Sequence, residues 1–337
     1  MKTDIFTHIM PKRYYEFLQA RAPGGQPLGI PAGRIQSLPA LWDLDARFKI
    51  MDIYGDYSQV LTLAHPSIEE LAGPKESPDI ARAANDAMAE LVVKYPQRFA
   101  AAVASLPLNN IDAALKEVDR AVKDLHCRGI QLFTNIMGKP LDLPEFQPIF
   151  EKMAGYDLPI WIHPARTPAF ADYATEDRSK YQVYFAFGWP YETGVAMARI
   201  LFTGIFDRHP NLKIITHHIG GVVPFFDERI TGTYDQYRSR QQPDDTDDPL
   251  SRLKRKPIDY FRMFYADTAS FGSLPAIECG LAFFGAEHLL FGTDHPFAPE
   301  GGSKFIRETI RALDGATMFP GDRQKVYQDN ARRLLKL

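Results

Sequence analysis

Cysteine is almost missing from this chain: 337 residues contain two, Cys127 and Cys279. They lie far apart and outside any CxxC spacing, which excludes a disulfide scaffold and a zinc finger and fits a reducing, cytoplasmic setting. A large excess of one charge is missing too. The formal net charge is -3, with Lys and Arg scattered along the chain, so no electrostatic footprint for nucleic acid or an anionic membrane is visible. No apolar run approaches the length of a membrane span. The opening MKTDIFTHIMPKRYY meets an acidic residue before an apolar run too short for the core of a signal peptide. There is neither a short-period repeat nor a glycine-rich phosphate loop. These absences leave a small molecule as the expected partner, with no nucleic acid and no membrane.

What is present is 45% hydrophobic residues, enough for one large core or two ordinary ones. Eight short apolar runs read as strands: TDIFTHI, SQVLTLA, AAVASLP, GIQLF, PIWIHP, LKIITH, MFYADT and HLLFGT. Most are separated by helical patterns, such as residues 77–95 with Ile80, Ala84, Met88, Leu91 and Val92 on one side. Strands alternating with helices predict the α/β class, and eight of them a (β/α)8 TIM barrel rather than a doubly wound sheet. No break in composition suggests a second domain, so residues 1–337 are expected to form one barrel with insertions near 10–40, 165–190 and 238–257. The first insertion is rich in Pro and Gly, the second in aromatics and the third in charge. The first two are expected over the C-terminal mouth.

Barrel enzymes keep their chemistry at the C-terminal ends of the strands. The run LLFGTDHPF breaks at Gly292 and presents Asp294, while TDIFTHI presents His8 and PIWIHP presents His163. Two neutral imidazoles and a carboxylate converging from rigid strands suit zinc, or a similar divalent ion such as manganese, with a position left open. His218 follows the sixth strand beside Gly220 and Gly221 and is a candidate general acid or base; its neighbour His217 is expected to turn into the packing. Arg47 stands near the opening of the second βα unit, either as a bidentate clamp for a carboxylate or as a surface arginine. Asp267 reads either as support for a ligand or as a turn residue. The aromatics from Tyr181 to Trp189, Phe187 among them, either line a substrate pocket or pack a loop down.

The segments DIFTHIMP, LPIWIHP, FGWPYETGVAMARILFTGIFDRHPNLKIITHHIGG and LLFGTDHPF together resemble the amidohydrolase superfamily. The likeness is to its branch of metal-dependent decarboxylases, the aminocarboxymuconate semialdehyde and γ-resorcylate decarboxylases. The resemblance implies a barrel that removes a carboxylate from a small aromatic or enoic acid with a metal ion and no organic cofactor, commonly as a homodimer. It implies His8, His163 and Asp294 as ligands, His218 as the acid/base and Arg47 as a substrate contact, with Asp294 also part of the catalytic set. Hydrolysis or hydration by metal-activated water is the rival on the same scaffold. One position departs from the pattern. The branch carries HxH or ExH on the first strand, and here the first of these positions is Phe6. Either the ion is held by His8, His163 and Asp294 with water or His218, or the pocket is a metal-poor barrel that binds an aromatic acid without turnover.

Overall fold

The computed structural model describes residues 1–21, 37–240 and 248–337. Parts of the expected insertions near 10–40 and 238–257 lie outside these residues.

The eight sequence runs form eight strand positions in chain order: β1 (Lys2–Ile9), β2 (Tyr57–Leu63), β3 (Phe99–Ala102, continuing as Ala104–Ser105), β4 (Ile130–Phe133), β5 (Ile160–His163), β6 (Ile214–Thr216), β7 (Tyr265–Asp267) and β8 (Leu289–Leu290). Each pairs in parallel with its sequence neighbour, except that the β2–β3 and β3–β4 contacts use the two halves of β3. Closure comes from backbone bonds between the ends of the chain. Ile5 N–H donates to Phe291 O at 2.9 Å, Asp294 N–H to Phe6 O at 3.2 Å and His8 N–H to His295 O at 2.7 Å. The result is a (β/α)8 barrel, as the alternation predicts.

Period two decides which side chains fill it. Phe6, Val60, Ala101, Val103, Trp161, Ile215 and Leu290 pack together inside. Stepping two residues on from Phe6, Trp161 and Ile215 leads to His8, His163 and His217, and stepping four from Leu290 leads to Asp294, all at the C-terminal mouth. Helices cover the outside. Asn110 caps Ile111–Lys123 by accepting from Ala113 N–H at 3.1 Å, and Ser273 caps Leu274–Phe284 by accepting from Ala276 N–H at 3.4 Å. The helix Trp189–Phe202 ends where Gly204 takes a φ of +71° and starts a new turn, Ile205–Arg208. Among the described residues, no helix is long and apolar enough to cross a membrane.

Candidate metal and acid/base site

His8, His163, His217, His218 and Asp294 meet at the mouth. Asp294 lies at the centre: its Oδ1 is 3.2 Å from His8 Nε2 and 3.5 Å from His217 Nε2, and its Oδ2 is 3.7 Å from His218 Nε2. One donor atom each from His8, His163 and His217 lies within 4.8 Å of the others, and the same holds for His217, His218 and Asp294. The structure therefore brings together all three sequence-expected ligands and the expected acid/base, and adds His217.

Local backbone explains how one short stretch supplies two imidazoles. His217 faces inward with Ile215 by simple alternation. His218 would face outward, but its φ of +55° and that of Ile219, +56°, bend the chain back. Gly221 completes the bend at φ +65°, where a Cβ would come within 2.3 Å of Pro190 O. Asp294 is itself left-handed at φ +63°. Non-glycine residues in this region are uncommon and concentrate at functional sites.

His217 does turn into the packing, but it also joins the histidine cluster. Its side chain is fully buried, and its Nδ1 is bound to Asp267 Oδ2. Asp267 also accepts from His218 N–H at 3.0 Å and Ala269 N–H at 2.9 Å through Oδ1, so it supports both histidines. Gly292 allows the close approach, since a Cβ there would meet Asp267 Cβ at 2.8 Å.

Electrostatics follow from burial and these contacts. Burial lowers His8 and His163, the latter well below the ordinary value and helped by His217, and favours neutral imidazoles at both. Burial opposes charge on His217 as well, but Asp267 and then Asp294 outweigh it and lift it to about 9. Burial works against an ionised Asp294, yet the imidazoles of His217, His218 and His8 facing its oxygens hold it well below the usual carboxylate range. His218 is lowered by burial first and by His217 second.

A metal fits this donor set. His8, His217 and His218 each carry a buried Nε2 with no hydrogen-bond partner, which is costly unless something accepts those lone pairs. His163 accounts for its other nitrogen, with Nδ1 at 2.7 Å from Pro164 O. A histidine ligand ordinarily donates its second N–H in this way.

Two expected substrate contacts are corrected. Arg47 is fully buried. Asp43 caps the helix Leu44–Asp52 and sets Arg47 so that Nε donates to Ala40 O at 2.9 Å, Nη1 to Gln59 Oε1 at 2.6 Å and Nη2 to His8 O. Burial pushes its pKa down to about 10, so it stays charged at neutral pH as a brace behind β1, out of reach of a substrate. Phe187 is 73% exposed; packing on Trp189 falls to Phe185, at 4.4 Å between ring centroids. Trp189 does face the site, 5.4 Å from the His163 ring and 6.0 Å from the His218 ring. Sequence reasoning missed Phe271, 5.8 Å from His218, and Phe297, 5.2 Å from His8. It also missed a cavity of about 290 Å³ lined by His65, Glu70, Phe133, Asn135, Thr167 and Phe170. The cavity opens beside His163, whose ring is 5.6 Å from His65 and 5.5 Å from Phe133.

The amidohydrolase family model matches residues 4–337. The chain belongs to the amidohydrolase family. Among its relatives, γ-resorcylate decarboxylase of Rhizobium radiobacter is 33% identical over 304 residues, covering 87% of each chain. Among solved structures, 2,6-dihydroxybenzoate decarboxylase from Rhizobium is 28% identical with a TM-score of 0.81, covering 99% of this chain and 98% of that one. Dihydroxybenzoic acid decarboxylase from Polaromonas sp. JS666, solved with bound manganese and the inhibitor 2-nitroresorcinol, is 27% identical with a TM-score of 0.80, covering 100% and 97%. Both solved structures share this chain's fold over nearly its whole length.

Proposed function

We propose that the chain is a metal-dependent decarboxylase of small aromatic acids carrying a hydroxyl next to the carboxylate. The observation that carries the reading is the set of buried, unpartnered imidazole nitrogens around Asp294, near a cavity of about 290 Å³. His8, His163 and Asp294 would hold the ion, manganese by analogy with the Polaromonas enzyme or zinc by ligand chemistry. When bound, the ion would supply a Lewis acid for the substrate's oxygens. No organic cofactor enters this reading. A homodimer in the cytoplasm remains the expected setting.

Losing CO2 breaks a carbon–carbon bond and leaves its electron pair on the ring, so the ring carbon must receive a proton. His218 is placed to deliver it. About 12% of its side chain is exposed, against 0% for His217, so it alone of the pair is reachable from the mouth. Its lowered pKa makes the imidazolium a stronger acid, and Asp294 Oδ2 at 3.7 Å steadies the charged form. Trp189, Phe271 and Phe297 would sandwich an aromatic ring and exclude water. Arg47 positions His8 through its carbonyl.

The test is CO2 release from 2,6-dihydroxybenzoate and other hydroxybenzoates by chelator-stripped protein, before and after adding Mn2+. Activity should appear only with the ion, and His218→Gln should keep the ion but lose at least about a hundredfold in kcat. Hydrolysis of an ester or amide with no CO2 would favour the rival reading, and near wild-type kcat in His218→Gln would remove His218 from the chemistry.

A further inference from the structure

We infer that His217 is a metal ligand, taking over on β6 the coordination that Phe6 cannot provide on β1. The inference rests on the metal reading above and adds a donor to it. Phe6 stands inside the cluster, with its ring centroid 5.3 Å from the His8 ring and 5.9 Å from the His163 ring, yet it offers no donor atom. It lies flat on His217 instead, 3.9 Å away and tilted by 23°.

Four features of His217 point the same way. Its Nε2 is buried without a hydrogen-bond partner. His217 belongs to the donor cluster with His8 and His163. Its Nε2 lies 3.5 Å from Asp294 Oδ1, nearly matching the 3.2 Å from His8 Nε2 to the same oxygen. Four ligands at about 2.1 Å around a tetrahedral ion stand about 3.4 Å apart, so these separations suit a shared ion. Finally, the bond from Nδ1 to Asp267 directs Nε2 at the cluster, where an ion would displace its proton and take the lone pair, as a histidine ligand requires. A histidine kept only for packing accounts for the Asp267 bond, the stack and the contact with Asp294, but not for its grouping with the donors of His8 and His163.

Phe6 then has a function of its own. Its stacked ring holds the His217 plane in place and occupies the volume that an imidazole from β1 would need, so the two residues act as an exchange of ligand between β1 and β6 across the barrel mouth.

The test measures Mn2+ binding to the full chain after chelation, by calorimetric titration without substrate. His217→Ala should weaken Mn2+ binding at least about a hundredfold and Asp267→Asn by about ten- to a hundredfold. Phe6→His with His217→Ala should recover most of the loss. Wild-type affinity in a folded His217→Ala protein would overturn the inference and leave the metal reading standing, whereas a wild type that takes up no Mn2+, Zn2+ or Fe2+ would overturn both. Echo modulation of Mn2+ in the wild-type protein decides the matter should the variant not fold. Three coupled imidazoles, a number unchanged in His218→Gln, support the inference. Two imidazoles, or a number that falls in His218→Gln, overturn it.

Discussion

Arg47 places a full charge where no surface is exposed, and its three donor nitrogens are spent on Ala40, Gln59 and His8. An ammonium at this position can reach only part of that acceptor set. Arg47→Lys is therefore expected to destabilise the protein by about 1–3 kcal/mol, the usual cost of leaving buried polar groups unmatched. It should leave the KM of any carboxylate substrate nearly unchanged. Thermal denaturation beside steady-state kinetics checks this; an unaltered Tm with a raised KM would return Arg47 to the pocket. Local sequence could not separate brace from clamp, because the exposure of an arginine is set by chain brought in from β1 and β2. His8, His163 and Asp294 were legible because each ends a short apolar run. His217 was legible only in part. Alternation from Ile215 turns it inward, but nothing in LKIITHH says which face of the strand is the interior, and the reversal at His218 depends on a left-handed backbone.

At the scale of elements, Asp4 ties three segments together beneath the site. On β1 its Oδ2 accepts from Tyr57 OH at 2.5 Å on β2, and its Oδ1 accepts from Thr293 N–H at 3.1 Å just past β8. Burial dominates its titration and raises it from 3.8 to about 7 against four hydrogen bonds that pull it down. The folded chain thus keeps a proton that the unfolded chain has released, so this contribution to stability is fully present below pH 3.8 and is lost as the pH rises through about 7. Asp4→Asn keeps the shape, and the hydroxyl groups of Tyr57 and Thr293, both on Asp4 Oδ2, can turn to accept from its amide. The wild type should lose more Tm than Asp4→Asn between about pH 5 and about pH 8. Parallel profiles for the two proteins would show that Asp4 does not titrate in that window. The strands themselves were readable from apolar runs bounded by turn residues. Helix ends were less so: the break at Gly204 and the start of Asp227–Arg240 three residues after Pro224 depend on packing that the sequence does not display.

For the whole molecule, strand order and closure concentrate the chemistry. Residues spread from position 8 to position 294 reach one mouth because every strand runs the same way and β1 pairs with the chain beyond β8. The alternation of eight strands with helices made that architecture legible without a structure. The cavity beside His163 was not, since His65, Asn135 and Phe170 come from three separate loops with no shared pattern. The central claim is that this mouth exchanges a carboxylate for a proton at a ring carbon. Mn2+-loaded protein acting on 2,6-dihydroxybenzoate in D2O tests it directly, with the product read by proton NMR alongside released CO2. The account predicts 1,3-dihydroxybenzene carrying one deuterium at the vacated carbon for each CO2 formed. Metal-loaded protein that releases no CO2 from this or any other ortho-hydroxybenzoate would contradict it.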